Sequence, residues 1–145
     1  MGTQQLLLIV LGVVIIGIAI AVGITLFKSN AQNSDREQII GDLDNLGSSA
    51  QQFYRKPKSF AGGGRDFQDF EIASLDTGNR NGSYSVTTTE PTDPGYVPGN
   101  RGPLTDPTQL FYIVGCGKEL GNNGVDPIKA YVIVTKDSLE MHILN

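Results

Sequence analysis

Apolar positions divide the chain into three patterns, and the first is a block rather than a stripe. From Leu6 to Phe27 the sequence reads LLLIVLGVVIIGIAIAVGITLF, with no charge and no proline. A helix that is apolar all round fits a bilayer or the middle of a bundle, not a solvated surface. At 1.5 Å per residue the run extends roughly 30 Å, enough to cross the hydrocarbon of a membrane. A secretory signal competes for this reading, but its apolar part is normally shorter and follows basic residues, of which Met1–Gln5 carries none. Residues 1–27 are therefore expected to remain on the chain as an apolar helix.

After Phe27 the apolar residues thin to Ile39, Leu43, Leu46, Ala50 and Phe53, in steps of four and three. That spacing predicts an amphipathic continuation of the same helix over residues 28–56. Pro57 cannot continue the hydrogen-bond ladder and disfavours helix just before it, which puts the end near Tyr54 to Lys56. Unbroken from Thr3, such a helix is roughly 80 Å long.

Beyond Pro57 the pattern becomes short β-type runs between glycine-rich turns: Phe67–Ile72, Ser83–Thr89, Gln109–Val114, Ala130–Thr135 and Leu139–Leu144. Tyr84, Val86 and Thr88 alternate with Ser83, Ser85 and Thr87, as in a strand with one covered face. Asn81-Gly82 and Asn123-Gly124 are turn signals, and Lys136-Asp137-Ser138 joins the last two runs as a hairpin. The prediction for residues 57–145 is a small antiparallel sheet covered by the stripe Ile39 to Phe53, an α+β fold with Phe53 and Tyr54 as anchors. Glu90 to Pro107 carries Pro91, Pro94, Pro98, Pro103 and Pro107 with Gly95, Gly99 and Gly102, and reads as a long irregular loop facing solvent.

Charge sharpens this division, because all 26 charged side chains lie at Lys28 or beyond. The formal net charge of −4 argues against nucleic acid as a partner. One cysteine, Cys116, and one histidine, His142, leave no disulfide within the chain and no multi-cysteine zinc site. Gly115-Cys116-Gly117-Lys118 resembles the end of a phosphate loop, but Tyr112 stands at its first-glycine position and Glu119 at its Ser/Thr position, so nucleotide binding is rejected. Cys116 is read as a buried thiol at a strand end ahead of a nucleophile. Glu90, Asp93 and Asp106 lack ordered calcium-ligand spacing. Gly62-Gly63-Gly64-Arg65 is read as a flexible link ahead of an anion cradle. No catalytic residue, cofactor or metal is assigned. Asn81-Gly82-Ser83 satisfies the N-glycosylation pattern at an expected turn, and the turn alone also explains it.

An apolar N-terminal helix, an amphipathic continuation and a small C-terminal β part together resemble the type IV pilin superfamily over essentially the whole chain. The resemblance implies a structural subunit of an extracellular, pilus-like filament serving adhesion, motility or secretion, and no enzyme. Its helix first rests in the inner or cytoplasmic membrane, is extracted by an ATP-driven pilus assembly machinery, and then packs with copies of itself in a helical homopolymer at the cell surface. In that family the mature chain usually has an acidic fifth residue; with Met1 as the first residue, Gln5 stands there, an amide that can bond but cannot neutralise a terminal ammonium. The family's helix often carries a proline, and none occurs here; Gly12, Gly17 and Gly23 are the positions expected to supply packing and flexibility. The backbone between roughly Gly12 and Gly23 is expected to lose some helical hydrogen bonds in the filament. Asp35, Glu37, Asp42 and Asp44 precede Arg55 and Lys56, which either suits the dipole of the soluble half-helix or lets the blocks pair between axially shifted subunits. The competing function is a single-span membrane anchor carrying an extracellular binding domain.

Overall fold

A computed structural model describes residues 2–73, 76–96, 103–106 and 108–145. One helix, α1, runs without interruption from Gly2 to Arg55. Among the described residues four strands follow, β1 (Gly82–Thr87), β2 (Leu110–Leu120), β3 (Pro127–Thr135) and β4 (Leu139–Ile143). They form an antiparallel meander in the order β1-β2-β3-β4, so each strand pairs with its neighbour in sequence. The expected α+β arrangement is the one found.

The second half of α1 lies across this sheet. Ile39, Leu43 and Ala50 are fully buried, with Leu46 and Phe53 packed at the margin, so the predicted stripe is the contact face. Two further positions on that face escaped hydropathy: Asp35 and Gly47 are also buried. A Cβ at Gly47 would stand 2.9 Å from Leu139 Cδ2, so β4 closes over the helix where the helix has no side chain. Opposite the stripe, Tyr84, Val86, Phe111, Ile113, Ile128, Ala130, Val132 and Val134 complete the core, alternating along their strands as period-two pleating requires.

At its C-terminal end α1 is held by aromatic rings. Tyr54 meets Phe67 at 4.8 Å, Phe67 meets Phe111 at 5.0 Å, and Phe70 meets Phe53 at 5.5 Å. The helix's last carbonyls would otherwise be orphaned. Gly63 N–H donates to Phe53 O, Gly64 N–H to Lys56 O and Arg65 N–H to Tyr54 O, at 2.8–2.9 Å. The glycine triplet is thus a helix cap, neither a loose link nor an anion cradle. Gly62 and Gly63 have no room for a Cβ against Lys56 and the Asp66 carbonyl.

The run Phe67–Ile72 is not a strand. Its buried residues fall at Phe67, Phe70 and Ile72, which is not alternation, and Asp69 sits at φ 67°, a left-handed conformation that breaks a pleat. The segment still docks on Leu104 and Thr108 through Phe67 N–H to Thr108 O, Asp69 N–H to Leu104 O and Leu104 N–H to Phe70 O. β2 extends six residues past the expected Val114, because Gly115 continues the ladder with both β1 and β3 and Gly117 pairs with Gly82 of β1.

The irregular loop after β1 is mostly exposed among its described residues, as expected, but its first residues fold back on the sheet. Pro91 is buried, Glu90 accepts from Tyr131 O–H at 3.1 Å, and the Pro94 carbonyl accepts from Lys129 Nζ. These contacts draw 90–94 over the sheet face opposite α1, where Ser85, Val114, Lys129 and Tyr131 are all buried. Pro98, Gly99, Gly102 and Pro107 lie outside the described residues.

Candidate functional site

The feature that the fold leaves unexplained is the first half of α1. Every large apolar side chain from Leu6 to Phe27 is 51–78% exposed. It is the one helix among the described residues long and apolar enough to cross a membrane, and none of that window is buried in the subunit. Covering such a surface is worth tens of kcal/mol in gross transfer energy, at about 25 cal/mol per Å². The chain therefore needs an apolar surrounding that its own folded part does not provide.

The glycines on this half-helix are open. A Cβ at Gly12, Gly17 or Gly23 would meet nothing within 4 Å. At 3.6 residues per turn, positions 12, 19 and 23 fall within about 40° of one another, so Gly12, Ala19 and Gly23 form a strip of small residues while Gly17 points elsewhere. A strip of that kind lets another helix approach closely. Gln5 lies on the exposed first turns of α1.

Stiffness in the projecting half depends on how firmly the other half is fixed, and two carboxylates fix it. Asp35 is buried, and its Oδ2 accepts from the backbone N–H groups of Lys118 and Glu119, both at 3.1 Å. The approach is allowed by Gly115 and Gly117: a Cβ at Gly115 would lie 2.8 Å from Ile39 Cγ2, and one at Gly117 would overlap the Asp35 carboxylate. The glycines that suggested a fragment of a phosphate loop are the places where bare strand backbone receives the helix. Hydropathy could not find Asp35, whose only sequence signal is that it falls one turn before Ile39 on the apolar stripe.

Asp42 is the second latch. Its Oδ2 accepts from Tyr84 O–H at 2.6 Å, Asn79 Nδ2 at 2.8 Å and Asn81 Nδ2 at 2.9 Å. Burial acts to raise the Asp42 pKa, but the bonds from Tyr84, Asn79 and Asn81 outweigh it and hold the carboxyl below its ordinary 3.8. Burial, followed by the bond to Asp42, drives the Tyr84 phenol well above its usual range. Around the latch lies a polar cleft lined by Asp42, Asn45, Ser49, Asp76 and Asn79.

The charged residues singled out in sequence thus divide. Asp35 and Asp42 spend their bonding inside the subunit, whereas Glu37, Asp44, Arg55 and Lys56 are exposed, and no ion pair to any of these four is found among the described residues. Asn81 lies in an Asx turn, its N–H donating to Asn79 Oδ1 at 2.8 Å, and a glycan on its Nδ2 would compete with the bond to Asp42. Cys116 is half-buried, and burial raises its thiol pKa, opposed by the nearby Lys129 ammonium. No group of three or more His, Cys, Asp or Glu able to hold a metal occurs among the described residues. Comparison of the chain with family models, with curated proteins and with solved structures finds no match.

Proposed function

We propose that this chain is a subunit of an extracellular type IV pilus-like filament, held together by packing of the apolar halves of α1. The observation that carries the reading is continuity: one unbroken helix joins a half locked on the sheet to a half with no cover at all. A tether needs only enough apolar residues to span lipid, and a short flexible joint would serve it. A rigid extension instead transmits the position of the β part to the buried rod, which is what a regular polymer requires.

Before assembly the apolar half rests in a membrane, and extraction by an assembly machinery delivers it into a bundle of copies. The exchange is feasible because one apolar surrounding replaces another, leaving close packing and polar contacts to decide the balance. The strip Gly12, Ala19 and Gly23 gives such copies a close-approach face. Asp44 and Arg55, eleven residues apart, would pair between neighbours shifted axially by about 16 Å.

Electron microscopy of material sheared from the cell surface, with mass spectrometry of its main component, tests the proposal. Long fibres composed chiefly of this chain are expected. Recovery of the chain solely as dispersed membrane protein would instead make the β part an anchored binding domain.

A further inference from the structure

Val125 is 77% exposed, the most exposed large apolar residue outside α1 among those described, and it occupies the tip of the β2–β3 hairpin. A lone exposed valine needs no explanation by itself. Its height along the helix is what gives it meaning.

β2 runs antiparallel to α1. At one end Leu110 pairs with Thr135, whose carbonyl accepts from Gln51 Nε2 at 3.2 Å. At the other end Gln32 Nε2 donates to the carbonyls of Leu120 at 2.6 Å and Gly121 at 3.4 Å. The end of β2 is therefore pinned five residues beyond Phe27, the last residue of the apolar run. Five residues of helix rise about 7.5 Å, and the polar layer on each side of the hydrocarbon is about 5–8 Å thick. The strand thus ends at the outer edge of that layer, and residues 121–126 turn back from there into β3. The tip is a tight turn, with Gly124 at φ 68° and Asn123 Oδ1 accepting from the N–H groups of Val125 and Asp126 at 3.1 Å. The geometry points to the hairpin tip as a membrane-interface contact: with α1 in the bilayer, Asn122, Asn123 and Val125 enter the headgroup layer of that same membrane. Leu120 and Ile143, 40% and 49% exposed, lie at the same end of the sheet, and Phe27 occupies the level at which aromatic side chains favour the interface. The inference rests on the proposed residence of α1 in a membrane before assembly.

The chain has no tryptophan, so a single introduced one reports its own surroundings. Three variants of the full chain, Val125→Trp, Ile16→Trp and Asp137→Trp, are reconstituted in phosphatidylcholine vesicles containing lipids brominated both near the end of the acyl chain and at its headgroup end. Ile16→Trp should be quenched, Val125→Trp should be blue-shifted and quenched, and Asp137→Trp, at the opposite end of the sheet, should be neither. If Ile16→Trp is quenched while Val125→Trp emits like Asp137→Trp, the hairpin contact is wrong and membrane residence stands. If Ile16→Trp escapes quenching, membrane residence fails and the contact fails with it. Because tryptophan itself favours interfaces, the unsubstituted chain provides the second readout. A headgroup-borne nitroxide lipid should broaden the Val125 methyl resonances and leave those of Leu110 sharp. Sharp Val125 resonances would overturn the contact.

Discussion

Individual residues set how closely α1 and the sheet approach, and glycine matters most where β2 passes under the helix. Gly117 faces the Asp35 carboxylate and Ile39 with no space for a methyl group. Gly117→Ala should destabilise the folded part by about 1–3 kcal/mol through overpacking, with the carboxylate forced off its two backbone donors. Urea unfolding in detergent would show it as a lower midpoint at unchanged slope. Asp42 lends itself to a pH experiment. Its pKa is lower folded than unfolded, so its contribution is complete above pH 3.8 and is lost as pH falls below that value. Asp66, held low by the N–H groups of Gln68 and Thr108 against the effect of burial, behaves in the same way. Asp42→Ala should cost about 1–3 kcal/mol near neutral pH, since the Tyr84 hydroxyl loses its acceptor, and should make the acid limb of the stability profile shallower. An acid limb as steep as that of the unsubstituted chain would mean that Asp42 does not contribute there.

Among the elements, α1 joins two unlike halves on one length of backbone, and under the proposed filament role substitutions should separate them. Gly12→Leu and Gly23→Leu add side chains where the subunit offers only open space. The thermal midpoint of the monomer in detergent should stay within about 2 °C, a change of a few tenths of a kcal/mol, while filament yield by electron microscopy drops severely. Leu43→Ala, at a fully buried position, should do the reverse and cost the folded part about 2–5 kcal/mol. How much was legible in the sequence follows the same division. Ile39, Leu43 and Ala50 were readable because a helix facing a sheet repeats its apolar residues every three to four positions. Tyr84 and Val86 were readable because a strand repeats every two. Phe67 to Ile72 was misread because its aromatics fill the core from an irregular backbone, where periodicity has no bearing. Gly115 and Gly117 looked like a strand end, since composition records a missing side chain but not which element presses against it. Asp35 and Asp42 read as surface charge because their partners, Glu119 N–H and Tyr84, lie more than forty residues away in sequence.

For the whole molecule the prediction concerns partition between soluble and insoluble states. The folded part has its own core, none of which lies before residue 35. Removing residues 2–28 should therefore leave a soluble domain that melts cooperatively and forms no filaments, while the full chain requires detergent, lipid or its own polymer. Size-exclusion chromatography and calorimetry of the two forms would check this, and aggregation of the shortened form would count against it. Burial on both faces of the sheet, by α1 on one side and 90–94 on the other, explains how so short a chain builds a sufficient core from few strands.

The position of β4 has a consequence for biosynthesis. Leu139 is the lid over Gly47, and the main-chain oxygen of Asn145 accepts from Arg36 at 3.1 Å, so a helix face made early in synthesis waits for a strand made about ninety residues later. A ribosome that stops before β4 releases a greasy rod attached to an unfinished sheet, which proteases can recognise and clear.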